Sequence, residues 1–306
     1  MAVQLSEPAL SAPGPRPRRA RMAGLPARLV PSGWTLASGP GVAFVLLAFV
    51  LPMVVVLWQS FTQPGVLNYT AAWDSGMFRR AIIATFEMAA VVTVISLVIG
   101  YPYAYAMARG GKALRGFLFA ALMVSFWTSL LVRTFAWEIL LDDTGLVNKA
   151  LLNLHLISQP LAMMHTAFSV DVGMVHILAP YLVLALYAQL RAISPDLEQA
   201  ARGMGARQPA AFWRVTFPLS LPGAVAGCVL VFILALGFYI TPAMLGNGIG
   251  QYIGQAIVNE VEQLLQTGVG EAMSGLLLAL VLILLAVPAR FVGLWNILGV
   301  ARRSQR

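Results

Sequence analysis

The chain has only two lysines, Lys112 and Lys149, and each is followed by alanine. A phosphate-binding loop requires a lysine followed by Ser or Thr after a glycine-rich turn. ATP phosphates are therefore not held here in that way. The histidines His155, His165 and His176 lack the HExxH spacing of a zinc protease, and no GxSxG nucleophile elbow occurs. Cys228 is the single cysteine and lies in an apolar run, which excludes an intrachain disulfide and a cysteine metal cluster. We expect no catalytic residue, no metal site and no cofactor bound by this chain. His176, also in an apolar stretch, reads as a hydrogen-bonded interior side chain.

A few polar groups remain that could meet a solute. Glu87 lies inside an apolar run, where a carboxylate is costly and functional by default. It reads either as a counter-charge for a cation or as a structural carboxylate. In the second case it is hydrogen-bonded, snorkelling, or paired with Arg79 or Arg80. Arg133 and Trp137 either line an entrance or anchor an interface, as such residues commonly do. Tyr239 and Thr241 are further candidates for a solute pathway.

The elements that must position these groups are set by composition. Hydrophobic residues make up 59% of the 306 and charged residues 10%, with a mean hydropathy of +0.80. Soluble domains carry about 25% charged residues. A soluble enzyme and a disordered chain are both excluded. A bilayer core about 30 Å thick needs roughly 20 apolar residues as helix. Six stretches satisfy this: Gly41–Ser60, Ile82–Met107, Leu114–Val132, Val172–Leu190, Leu221–Ile240 and Ala272–Val292. The third has room to run on to Trp137.

Direction follows from the basic residues. All of the 20 except Arg79, Arg80, Arg133 and Lys149 fall on one side of a six-span arrangement. That side holds both termini and is the cytoplasmic one. The net charge of +8 is thus a topology signal, and no nucleic-acid partner is expected. The opposite side carries Asp74, Glu138, Asp142, Asp143, Asp171, Glu260, Glu262 and Glu271. These acids either attract cations or form a solvated loop face.

Residues 1–40 form an Arg/Pro-rich tail, 41–295 the six-span domain and 296–306 a second tail. The first segment also has transit-peptide composition, but an uncleaved first span fits better because no small-residue cleavage site follows it. Leu146–Leu154 is expected to form a short surface helix, and the stretch QYIGQAIVNEVEQLL has helical periodicity. No internal repeat supports an inverted-repeat secondary transporter.

The inner loop over residues 193–218 is the most informative segment. Ser194 suits an N-cap, Pro195 the first helical position, and Asp196 complements the helix dipole. Leu197, Ala200, Ala201 and Met204 then recur as one apolar stripe. Glu198 precedes Arg202 by one helical turn, the favourable ion-pair order. Gly205 is a natural stop with positive φ. Pro209 starts a second short helix, which is expected to end before Pro218. The stripe packs on the protein's own spans, lies in the lipid interface, or docks on a partner.

This loop resembles the EAA loop of permease subunits of binding-protein-dependent ABC importers. Gln199, Ala200 and Ala201 stand at the E-A-A positions, Gly205 at the glycine, and Val215–Pro218 at the I-x-L-P ending. Gln199 replaces the family's glutamate, with Glu198 adjacent. The segments IGYPYAYAMARG, LLVRTFAWEILL and LGFYITPAMLG are similar to those of spermidine/putrescine-type permeases. The resemblance covers the chain from about residue 41 onward.

What it implies is an all-α, six-span type I ABC importer permease in a bacterial inner membrane, with both termini cytoplasmic. Cytoplasmic ATPase subunits would bind ATP and Mg. A second permease, expected to form a heterodimer with this one, and a periplasmic solute-binding protein complete the importer. Leu197, Glu198, Gln199, Ala200, Ala201, Met204, Gly205 and Pro218 would form the ATPase-coupling segment. The expected solute is a polyamine or another small molecule. A stand-alone secondary transporter should carry charges along several spans. A membrane-embedded enzyme should show several polar groups at one depth. Glu87 and His176 are too few for either.

Overall fold

In lipid every backbone polar group must be satisfied within its own segment, so long apolar runs become helices. A computed structural model describes residues 33–62, 65–248 and 251–297, with side chains over 39–62, 65–248 and 251–286. All regular structure among the described residues is helical. Helix α1 is Gly33–Thr62, α2 Val66–Asp74, α3 Gly76–Arg109, α4 Lys112–Trp127, α5 Leu130–Leu141 and α6 Leu146–Asn153. Helix α7 is Ala167–Ala192, α8 Pro195–Gly203 and α9 Gln208–Ala211. A π turn over Phe212–Thr216 joins α9 to α10, Phe217–Leu236. Helices α11, Ile240–Leu245, and α12, Ile253–Val258, follow. A second π turn, Asn259–Gln263, and α13, Thr267–Ile297, complete the series.

The chain divides into two compact units, Met1–Pro52 and Met53–Arg306, at one of the two prolines inside α1. Helix α1 begins at Gly33, ahead of the tail boundary expected at 40. Residues 1–32 and 298–306, and with them the side of the membrane on which each terminus lies, fall outside the described residues.

Among the described residues, five helices are long and apolar enough to cross a membrane, or up to six if one bent pair counts as a single span. The bent pair corrects the third expected span. Helix α4 stops at Trp127, and the chain turns by 95° before continuing at Leu130. Thr128 Oγ1 donates back to the Val124 carbonyl at 2.7 Å, an alternative to the helical ladder that Ser and Thr offer locally. Sixteen residues of α4 reach only about 24 Å, short of a bilayer core. The fifth expected span also ends early, because α10 stops at Leu236 with Gly237 beyond it. Its beginning is earlier than expected as well. The helix passes through Pro218 without a break, since the π turn places the Phe217 N–H on the Phe212 carbonyl and widens the turn that the proline ring would otherwise crowd.

Within the second unit, α3, α7 and α10 pack on one another. Met88, Val92, Ala104 and Met107 of α3 meet Met174, Leu178, Leu182 and Leu186 of α7, all buried. Small residues permit this approach. A Cβ on Gly223 of α10 would overlap the Gln189 side chain of α7. A second cluster joins Ala72, Phe78, Ile253, Ala272 and Met273, drawing α2, α12 and α13 onto the start of α3. The surface helix expected over 146–154 forms as α6.

Candidate functional site

The inner loop folds as its residues dictate. Ser194 Oγ accepts from the Asp196 N–H at 3.3 Å, capping α8, and Pro195 takes the first turn. At the other end Gly205 has φ +90°. The Gly205 N–H donates to the Arg202 carbonyl at 3.0 Å, and the Ala206 N–H to the Ala201 carbonyl at 3.1 Å. That crossed pair is a Schellman stop, which needs a left-handed residue at the glycine position. Helix α8 closes both of its own ends.

No residue of α8 is buried. Leu197 is 49% exposed and Met204 84% exposed, with Ala200 also open and Ala201 half-buried. Trp213 of the π turn is 60% exposed beside this loop. The stripe therefore does not pack into the chain's own core. Gln199 and Pro218 are exposed as well.

Glu198 departs from expectation. Instead of meeting Arg202, its carboxylate turns to the bundle and accepts from Thr216 Oγ1 at 2.9 Å and from the Tyr105 hydroxyl at 3.3 Å. Hydroxyl donors from two other elements satisfy the carboxylate better than one solvent-exposed guanidinium would. Nearby, Arg109 donates to the Ile193 carbonyl at 3.1 Å, and Tyr101 shares a 2.7 Å hydrogen bond with Ser220.

The pathway candidates do not converge on one site. Glu87 is exposed on α3 among Ile83, Val91 and Val94, with no hydrogen-bond or ion-pair partner among the described residues. The expected alternatives of a pair with Arg79 or Arg80 are not formed. Trp137 donates its indole N–H to His176 Nδ1 at 3.0 Å. An indole is a donor only, so Nδ1 accepts and the neutral ring carries its proton on Nε2, toward Ser125 Oγ at 3.4 Å. His176 is thus a hydrogen-bonded interior residue. Thr241 is buried in α11 and bonded to Thr134 at 3.2 Å, whereas Tyr239 is partly exposed between α10 and α11.

Asp171 escaped sequence reading. Counted there as an outer-loop acid, it sits inside α7, half-buried, with Oδ1 buried and unpartnered among the described residues. Burial pushes the Tyr252 phenol up to about 12, and the Asp171 charge adds to that shift. A single carboxylate just before an apolar run gives no periodic signal that would have assigned it to a helix. No group of three or more metal-ligating side chains exists among the described residues.

The description "binding-protein-dependent transport system inner membrane component" matches residues 94–296, a stretch that contains α8 and its turn. The chain belongs to this family. The permease is 31% identical over 226 residues to the spermidine/putrescine transport system permease protein PotB of Haemophilus influenzae, covering 70% of this chain and 79% of that protein. The Escherichia coli protein of the same name is 35% identical over 190 residues, 62% of this chain and 69% of that one. A crystal structure of a bacterial ABC transporter that imports the acidic polysaccharide alginate aligns with TM-score 0.65 at 17% identity. It covers 84% of the permease and 96% of that chain, and it shares the fold. The permease is a multi-pass inner-membrane transport subunit and not an enzyme.

Proposed function

We propose that this permease carries a polyamine such as spermidine or putrescine inward, driven by cytoplasmic ATPase subunits that grip α8. The observation that carries the coupling half is the stripe Leu197, Ala200 and Met204, exposed, with Ala201 half-buried, along and just beyond a helix that caps itself and has no buried residue. Exposed apolar side chains on a short, rigid helix suit a groove on a partner. Gln199 lies beside the stripe, Gly205 sets the angle at which the helix leaves, and Pro218 with its π turn leads into α10. ATP binding in the partner then shifts the spans between outward- and inward-open populations. The solute enters from a periplasmic binding protein, and a second, non-identical permease supplies the other half of the pathway.

The polyamine half rests on the PotB relatives and on two carboxylates, Glu87 and Asp171, that have no hydrogen-bond partner among the described residues. Trp137, Tyr239 and Thr241 belong to the same outer half, Thr241 as a buried support. The excess of basic residues on one side supports cytoplasmic tails over residues 1–40 and 296–306, flanking a translocating domain over 41–295.

The test is the assembled importer in proteoliposomes. Wild type should take up labelled spermidine when ATP is inside and binding protein outside. Ala201→Glu should lower ATPase co-purification at least about tenfold, or ~1.4 kcal/mol, and uptake with it. Full partner binding and transport by Ala201→Glu would remove α8 from the coupling role. Saturable uptake of neutral solutes with none of spermidine would remove the polyamine.

A further inference from the structure

Among the described residues, Glu198 is the one side chain of α8 that hydrogen-bonds another element. Its two oxygens go to two different spans. Tyr105 stands one turn before the end of α3, and Thr216 closes the π turn that feeds α10. Thr216 is fully buried, so its hydroxyl is fixed in direction. Tyr105 packs edge-on against Phe212 of the same π turn, ring centroids 5.2 Å apart. Arg109, also at the end of α3, holds the Ile193 carbonyl just before α8 begins. Helix α8 otherwise has no buried residue and is joined to the bundle through the capped turns at Ser194 and Gly205.

We propose that Glu198 is a positioning residue that transmits displacement of α8 to α3 and α10, and that it does not itself contact the ATPase. The proposal rests on the reading of α8 as the docking helix. A carboxylate shared by two hydroxyl donors, here at 2.9 and 3.3 Å, forms directional, charge-assisted links that resist shear. A push on the exposed stripe then reaches two spans at once. Without those links, α8 is free to follow its partner while the spans stay where they are. The π turn contributes by turning Thr216 inward, a use of such turns that recurs at functional sites.

The experiment uses the complete importer in proteoliposomes with solute-loaded binding protein, reading three quantities: ATPase co-purification, ATP hydrolysis and solute imported per ATP. Glu198→Ala removes both hydrogen bonds and should keep the ATPase bound and hydrolysing while solute per ATP falls at least about tenfold. Thr216→Val should do the same more weakly, because it removes one of the two links, and add little on top of Glu198→Ala, in which that link is already gone. Glu198→Gln, which retains an acceptor oxygen, should restore most of the ratio. Release of the ATPase by Glu198→Ala, as expected for Ala201→Glu, would mean that Glu198 contacts the partner and would overturn the proposal. Wild-type solute per ATP in Glu198→Ala, or additive losses with Thr216→Val, would overturn it too. If Ala201→Glu keeps its ATPase, the docking reading itself has failed, which the Glu198 variants alone would not reveal.

Discussion

The two ends of the bundle solve opposite problems with similar amounts of chain. In the inner segment, α8 satisfies its own ends and buries none of its residues, leaving Leu197 and Ala200 exposed. The outer segment, α11 and α12, does the reverse. Thr241, Leu245, Ile253, Gln255 and Ala256 are buried there. Its polar groups are tied outward to three helices or their flanks: the Ile253 N–H to Thr85 Oγ1 at 2.9 Å, Thr241 to Thr134, and the Leu245 carbonyl to Ser169 Oγ at 2.7 Å. His165 adds a 3.1 Å bond to the Gly246 carbonyl. A segment woven in at that many points moves only with the body. A segment fastened by one carboxylate moves relative to it, or transmits motion through that link. Low local burial is what gives such a region its freedom.

The strongest way to break this comparison is Gly205→Val. The position has φ +90° and nothing within 4 Å of an added Cβ, so the cost is in the backbone alone. A left-handed L residue costs roughly 1–2 kcal/mol, and a β-branched one more. Because the Schellman pair closes only with that φ, the stripe should lose its presentation. We expect ATPase co-purification and uptake to fall about tenfold or more while the protein inserts and is extracted at wild-type yield. Unchanged uptake would show that the turn does not set the docking geometry.

Next in size is a change at the outer end that should act on stability and leave coupling intact. Thr85→Val removes the acceptor of the buried Ile253 N–H at little change in volume. An unsatisfied buried donor costs roughly 1–3 kcal/mol. The purified protein should therefore unfold at a lower temperature, with solute per ATP unaltered. A lowered ratio with normal thermal stability would place the outer loop in the moving machinery and erase the distinction drawn here.

Much of the inner segment was legible because its signals are local. Ser194, Pro195 and Gly205 each have one favoured place at a helix end, and the stripe repeats with the helical period. What escaped was tertiary. Glu198 has an intrahelical partner in sequence, Arg202, and only the packing of α3 and the π turn supplies better ones. Pro218 reads as a break because sequence rules assume an α-helical turn before it, whereas a π turn accommodates the ring. The 95° bend after Trp127 follows a Thr-Ser pair, too weak a signal within an apolar run to divide a span. Thr241 read as a pathway group on polarity and position, but its hydroxyl is consumed by Thr134.

The smallest effect expected separates two carboxylates, Glu87 and Asp171. Glu87 was conspicuous because apolar residues surround it, and it lies on an exposed, apolar strip of α3. Asp171 was inconspicuous, yet it stands half-buried in α7 with an unpartnered oxygen, within electrostatic reach of Tyr252 in the outer loop. A carboxylate held by a rigid surround is organised to meet a cation before the cation arrives, whereas one on a bare strip must be ordered by it. Asp171→Asn should therefore raise the KM for spermidine roughly threefold to fivefold, the scale of a partly exposed ion pair, with kcat little changed. Glu87→Gln should raise it no more than about twofold. The measurement is initial uptake against spermidine concentration at equal protein abundance, repeated at higher salt, where the Asp171 difference should shrink less than the Glu87 one because buried charges are screened less. The reverse order, with Glu87→Gln the larger and the less salt-sensitive, would move the cation's path from the α7 end of the outer loop to the exposed face of α3.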